Sequence, residues 1–106
     1  MAKYMIQASY TQSGVQGVLK EGGSGRRDAI AKLLADLGGS LEAFYFAFGE
    51  DDVFVIAELP DNITAAAVGL TVAGAGAVTS KTVVLLTPEE IDRATQQTVS
   101  YRAPGA

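Results

Sequence analysis

The 106 residues carry eight basic and twelve acidic side chains, no histidine and no cysteine, giving a net charge of −4. Those absences exclude thiolate nucleophiles, disulfides, cysteine or histidine zinc sites, haem-histidine ligation and Ser-His-Asp catalysis, and the acidic balance without a basic stripe excludes a nucleic-acid partner. Hydrophobic residues make up 48% of the chain against 19% charged, too few charges to cover both faces of a sheet, so some apolar surface is expected to meet a partner.

Apolar and polar side chains alternate from Lys3 to Tyr10, which predicts a first strand. Two helical pieces follow, marked by Val15, Val18 and Leu19 and then by Ile30, Leu33, Leu34 and Leu37, with "EGGSG" between them and Gly38 and Gly39 as a C-terminal stop. Leu41–Phe48 and Val53–Leu59 read as two strands joined by "GEDD", where Gly49 is expected to supply backbone freedom. Asp61 or Asn62 can cap a third helical segment that runs to about Ala77. Its apolar stretch falls short of the roughly 20 residues of a membrane span and is broken by Gly69, Gly74 and Gly76. Val78–Leu86 is a fourth strand, and "TPEE" predicts a last helix capped by Thr87, opened by Pro88 and boxed by Glu90. The order βαββαβ plus a terminal helix predicts one α+β domain over residues 1–106, a ferredoxin-like sandwich with an extra C-terminal helix. No signal-peptide pattern opens the sequence, so a cytoplasmic location is expected, without membrane contact.

Strand parity divides the side chains between two faces. Ile6, Ala8, Leu41, Ala43, Ala47, Val53, Val55, Ala57, Val84 and Leu86 form a small-residue face suited to the helices. Met5, Phe44, Phe46, Phe48, Phe54, Ile56, Val83 and Leu85 fall on the opposite parity, with Lys3, Glu42, Glu58 and Lys81 among them. That face is expected to pack on the same face of a second subunit, with a ligand cavity between the sheets lined by residues such as Phe46.

Few residue groups suggest chemistry. Glu50, Asp51, Asp52 and Asp61 offer oxygen ligands, but neighbours in a turn rarely converge, so a solvated turn is expected and no metal. In "KEGGSGRRDAI", Ser24 can cap the second helical piece while Arg26 and Arg27 bring positive charge to a helix start, the pattern of a carboxylate or phosphate site without a Walker loop. A plain flexible connector is the competing reading. Tyr10 is the remaining candidate for ligand contact; a tyrosine starts near pKa 10 and needs a cation beside it to serve as a base. The tail residues Tyr101 and Arg102 either clasp a neighbouring subunit, close a pocket, or fray.

The segments "QASYT", "KEGGSGRR", "LGG", "EAFYFAFG", "FGEDDVFVIAELPD", "LLTPEEID" and "YRAPG" are similar to those of the GYD domain family, over nearly the whole chain. Gly49 and Asp52 match the glycine and aspartate of the family's Gly-x-Tyr-Asp pattern, whereas Asp51 stands at its tyrosine. The resemblance implies a dimeric α/β barrel, with ferredoxin-like sheets packed face to face, and brings no general activity with it. Three functions follow: a homo-oligomeric module binding a small apolar or anionic metabolite between its sheets, a cofactor-independent monooxygenase- or isomerase-like enzyme using Tyr10 with Arg26 or Arg27, and a ligand-free scaffold. None of them calls for a cofactor.

Overall fold

The computed structural model describes residues 1–106. The chain runs β1 (Ala2–Tyr10), α1 (Gln12–Asp36), β2 (Ser40–Phe46), β3 (Val53–Leu59), α2 (Asn62–Ala75), β4 (Val78–Leu85) and α3 (Pro88–Thr95). The strands form one antiparallel sheet in the order β2-β3-β1-β4, an α+β arrangement compatible with a ferredoxin-like sandwich. No helix is long and apolar enough to cross a membrane.

The core lies between the sheet and the two long helices. Tyr4 and Ala8 of β1, Val53, Val55, Ala57 and Leu59 of β3, Leu34 of α1 and Ala65 of α2 are its buried members. Alternation along β3 is complete: Val53, Val55, Ala57 and Leu59 are buried, while Phe54, Ile56 and Glu58 face the other way and are half-buried. The Tyr4 hydroxyl, at the apolar centre, donates to Asn62 Oδ1 at 2.6 Å, so burying the ring leaves its polar tip satisfied.

Local chemistry sets each helix end. Thr11 caps α1 by accepting from Gly14 N–H, while its hydroxyl also lies 2.9 Å from the Gly76 carbonyl, and its own N–H donates to Ala77 O at 2.9 Å. Helix α1 therefore starts moored to the turn that leads into β4. At its other end Gly39 N–H reaches Leu34 O and Gly38 N–H reaches Ala35 O, with Gly38 at φ 80°, a Schellman closure. Asp61, rather than Asn62, caps α2, its Oδ1 accepting from the N–H and hydroxyl of Thr64 at 2.8 Å each. The expected Thr87–Glu90 capping box is present at the head of α3.

Three features depart from the sequence reading. The two helical pieces of α1 meet inside the glycine-rich stretch as expected, but the break falls at Gly22, where φ is 78° and ψ is 169°, and Ser24 sits within the segment beyond it with no capping bond. In the hairpin between β2 and β3 Gly49 keeps an ordinary φ; the connection closes instead through Ala47 N–H to Asp52 O at 2.8 Å. The third departure is a bulge in β2 between Leu41 and Ala43, which puts Leu41 opposite Ala57 but Ala43 opposite Ile56. One extra residue reverses the parity of everything after it. Phe44 and Phe46, opposite Val55 and Val53, therefore lie on the helix side, while Ala43 and Tyr45 lie on the open side.

The open side of the sheet carries Met5, Phe54, Ile56, Val83 and Leu85 with no helix over it. At one end Lys3 Nζ meets Glu42 at 2.6 Å and Glu58 at 3.4 Å across three strands. The hydrogen bond to Glu42 raises the Lys3 pKa. Beyond β4 the chain leaves the body: α3 buries none of its residues, and Ile91, Val99 and Tyr101 are exposed. The radius of gyration is consequently 17.0 Å, against about 13 Å for a compact chain of this size.

Candidate ligand cavity

Beneath the helices the sheet is not fully covered. A cavity of about 90 Å³ lies between them, floored by Ile6, Ala8 and Tyr10 of β1, Phe44 of β2, Val53 and Val55 of β3, and Val78, Ser80 and Thr82 of β4. Arg26, Ile30, Leu33 and Leu34 of α1 and Val68, Gly69 and Val72 of α2 complete it. Small side chains on α2 explain the gap, because a helix with Gly69 at the contact presents no side chain there to fill it. A wider groove of about 520 Å³ runs on the outer surface between α1 and α2, lined by residues including Ala29, Lys32, Asp36 and Thr71. Leu33 and Val68 line both spaces, so these two side chains stand between the cavity and the groove.

Arg26 is the one charged residue in the cavity lining. The joint at Gly22 sets the direction of the α1 segment that carries it, and the Arg26 side chain, 30% exposed, is met from outside by Glu21 through a single contact of 3.4 Å. One oxygen on one nitrogen leaves most of the five guanidinium donors free. Tyr10 lies beside it. Burial raises the Tyr10 phenol above its ordinary pKa, while the neighbouring Arg26 guanidinium pulls the other way without reversing the shift. The phenol thus keeps its proton at neutral pH and can donate it in a hydrogen bond.

Phe46 stacks on Tyr10, with ring centroids 6.4 Å apart, and meets Phe44 edge-on at 5.4 Å. The α1 backbone comes close at the same point: a Cβ on Gly23 would stand 3.1 Å from the Phe46 ring. Of the residues singled out in the sequence, Tyr10 and Arg26 are brought together in the cavity, with Phe46 packed against Tyr10 on the same side. Ser24 is exposed outside the lining, and Arg27 turns to its neighbour Asp28 at 3.1 Å.

The acidic hairpin has a structural use. Asp52 Oδ2 accepts the Tyr10 N–H at 2.9 Å, its own N–H donates to Ala8 O at 2.9 Å, and Asp51 Oδ1 takes a bond from the Ser9 hydroxyl at 3.4 Å. Asp51 and Asp52 are half-buried against β1, not free in solvent as a loose turn would be. Nowhere do three carboxylates converge as they would around a metal ion.

The aliphatic residues that form most of the cavity were visible in the sequence only as core candidates, Ile30 and Leu33 by their helical spacing and Val53 and Val55 by strand alternation. No signal in the sequence joined them to Val68, Val72, Ser80 and Thr82, because that juxtaposition depends on how far apart the two helices sit.

This arrangement defines a class: a small α+β domain with a four-stranded antiparallel sheet, one open sheet face and an apolar cavity under its helices. Within that class the chain belongs to the GYD domain family, whose model matches residues 4–95. No curated protein and no solved structure matches the chain.

Proposed function

We propose that the protein is a non-catalytic, homo-oligomeric module that holds a small molecule in the cavity between its helices and its sheet. The observation that carries this reading is the cavity itself: mostly aliphatic, partly enclosed, and with Arg26 and Tyr10 among the residues that line it. Binding sites of this kind combine apolar walls with a few orienting polar groups. The location differs from the expected one, since this cavity is under the helices and needs no second sheet to close it. The open sheet face, with Met5, Phe54, Ile56, Val83 and Leu85, supports self-association through a separate surface.

A cofactor-free enzyme using Tyr10 as base is the competing reading, and the raised phenol pKa weighs against it because a base must lose its proton. A ligand-free scaffold is the third. Titration with the neutral probe 3-methylbutan-1-ol, followed by methyl NMR, separates scaffold from binding module. Shifts confined to Ile6, Ile30, Val55 and Val72 are expected, and they should vanish in Gly69→Leu. That variant adds a side chain where a Cβ meets nothing within 4 Å, and it improves helix propensity, so it should fold. Unperturbed cavity methyls in the wild type at high probe concentration would exclude the cavity as a binding site.

A further inference from the structure

We propose that the cavity selects small organic acids, monoanions with a short branched aliphatic body whose carboxylate is held by Arg26 and Tyr10. This rests on the binding reading above and adds to it the chemical class of the ligand.

Three observations converge on that class. Size comes first: about 90 Å³ is below the roughly 150 Å³ of an apolar cavity known to take benzene, so the enclosed part suits a branched chain of a few carbons better than an aromatic ring. The walls agree, since isoleucine, leucine, valine and alanine supply most of the lining and the only aromatic rings there are Phe44 and Tyr10.

Charge is the second observation. Among sixteen lining residues Arg26 alone is ionised, and no carboxylate joins it inside. The two acids nearest are accounted for: Glu21 touches Arg26 from the outer side, with its own side chain 47% exposed, and Asp52 is engaged by the Tyr10 N–H. A guanidinium bordering an apolar space with donors to spare attracts an anion whose body fills that space, because the fork matches a carboxylate.

The third is the phenol. Tyr10 retains its proton and stands next to the guanidinium, so the pair offers two kinds of donor to one carboxylate and no acceptor of comparable strength. A neutral alcohol satisfies one such donor; an amine meets a like charge. The order of preference is therefore acid over alcohol over amine.

The test uses three probes of one shape, 3-methylbutanoate, 3-methylbutan-1-ol and 3-methylbutylamine, titrated at neutral pH and fixed ionic strength with methyl NMR as readout. The wild type should bind the acid about tenfold more tightly than the alcohol, the scale of one charge-assisted hydrogen bond, and should not bind the amine. In Arg26→Gln the acid and alcohol should bind alike, while Arg27→Gln, outside the cavity, should behave as wild type. Glu21→Gln should strengthen the acid by freeing Arg26 and leave the alcohol unchanged. If the alcohol equals the acid in the wild type, acid selection is wrong while the binding reading survives. If none of the three binds, both are wrong. An acid preference that persists in Arg26→Gln would overturn the assignment to this arginine, and should that variant not fold, the Glu21→Gln result decides the same question.

Discussion

Asp52 Oδ2 accepts the backbone N–H of Tyr10 at 2.9 Å, so the carboxylate next to β3 finishes the ladder that β1 leaves open. A side chain here takes the place of a backbone carbonyl. The same residue's N–H donates to Ala8 O, which fixes the hairpin against β1 from both ends of one amino acid. Because Tyr10 also faces the cavity, the hairpin turn sets the position of a candidate ligand contact without touching the ligand.

Removing that acceptor should therefore cost stability. Asp52→Ala is expected to lose about 1 kcal/mol, the usual net worth of one such hydrogen bond, whereas Asp52→Asn keeps an oxygen in place and should lose less. Urea denaturation of the two variants checks the order. Equal stability of Asp52→Ala and wild type would show that the bond contributes nothing.

Glycines in α1 should respond in opposite directions. A Cβ on Gly14 would overlap the Ala77 carbonyl, at the point where Thr11 ties α1 to the start of β4, so Gly14→Ala should destabilise by about 2 kcal/mol. Gly17 has no atom within 4 Å of the same position, and Gly17→Ala should stabilise by up to about 1 kcal/mol through helix propensity alone. The shift in urea midpoint should change sign between the two.

Acid should loosen the α2 start. Hydrogen bonds from the Thr64 N–H and hydroxyl hold the Asp61 pKa below its ordinary value of 3.8. A depressed carboxylate stabilises the fold above its unfolded pKa, and that contribution is lost as pH falls through the folded value. Stability measured from pH 7 to pH 2 should fall in the acid range in wild type, and less steeply in Asp61→Ala; parallel curves would contradict the cap's role.

The proposed self-association uses the open sheet face, and the bulge in β2 makes Phe54, not Phe46, the residue to test there. Phe54→Arg should insert a charge into that face and give monomers or aggregates, because an unpaired buried charge is costly. Phe46→Arg, on the helix side beside Tyr10, should instead disturb the cavity and leave the oligomeric mass unchanged. Light scattering after gel filtration reads both; a wild type that is monomeric at micromolar concentration would remove the interface.

Most of the architecture was legible in the sequence, for local reasons. All four strands were read from the sequence, β1 by its alternation and β3 to the residue, and the Thr87–Glu90 box announced α3 because its chemistry lies within one turn. The faces of β2 were not legible: a run such as "LEAFYFAF" contains no mark for an extra residue, and the bulge is set by how β2 aligns with β3. The candidate site was half visible. Arg26 was noticed as a cation near a glycine-rich break, but which of Arg26 and Arg27 faces the sheet depends on how the joint at Gly22 turns the helix, and Tyr10 could not be joined to it until α1 was laid across the sheet.

The joint at Gly22 also decides which part of α1 meets the sheet. The joint divides α1 into a stem, held at its foot by Thr11 and Gly14, and a panel that carries Arg26, Ile30 and Leu33. Leu34 on the same panel lines the cavity and is also buried in the core, with Ile30 and Leu33 packed against that core. The cavity wall and the core are therefore one surface here, and a substitution that reshapes the wall also acts on the packing that holds the helix to the sheet.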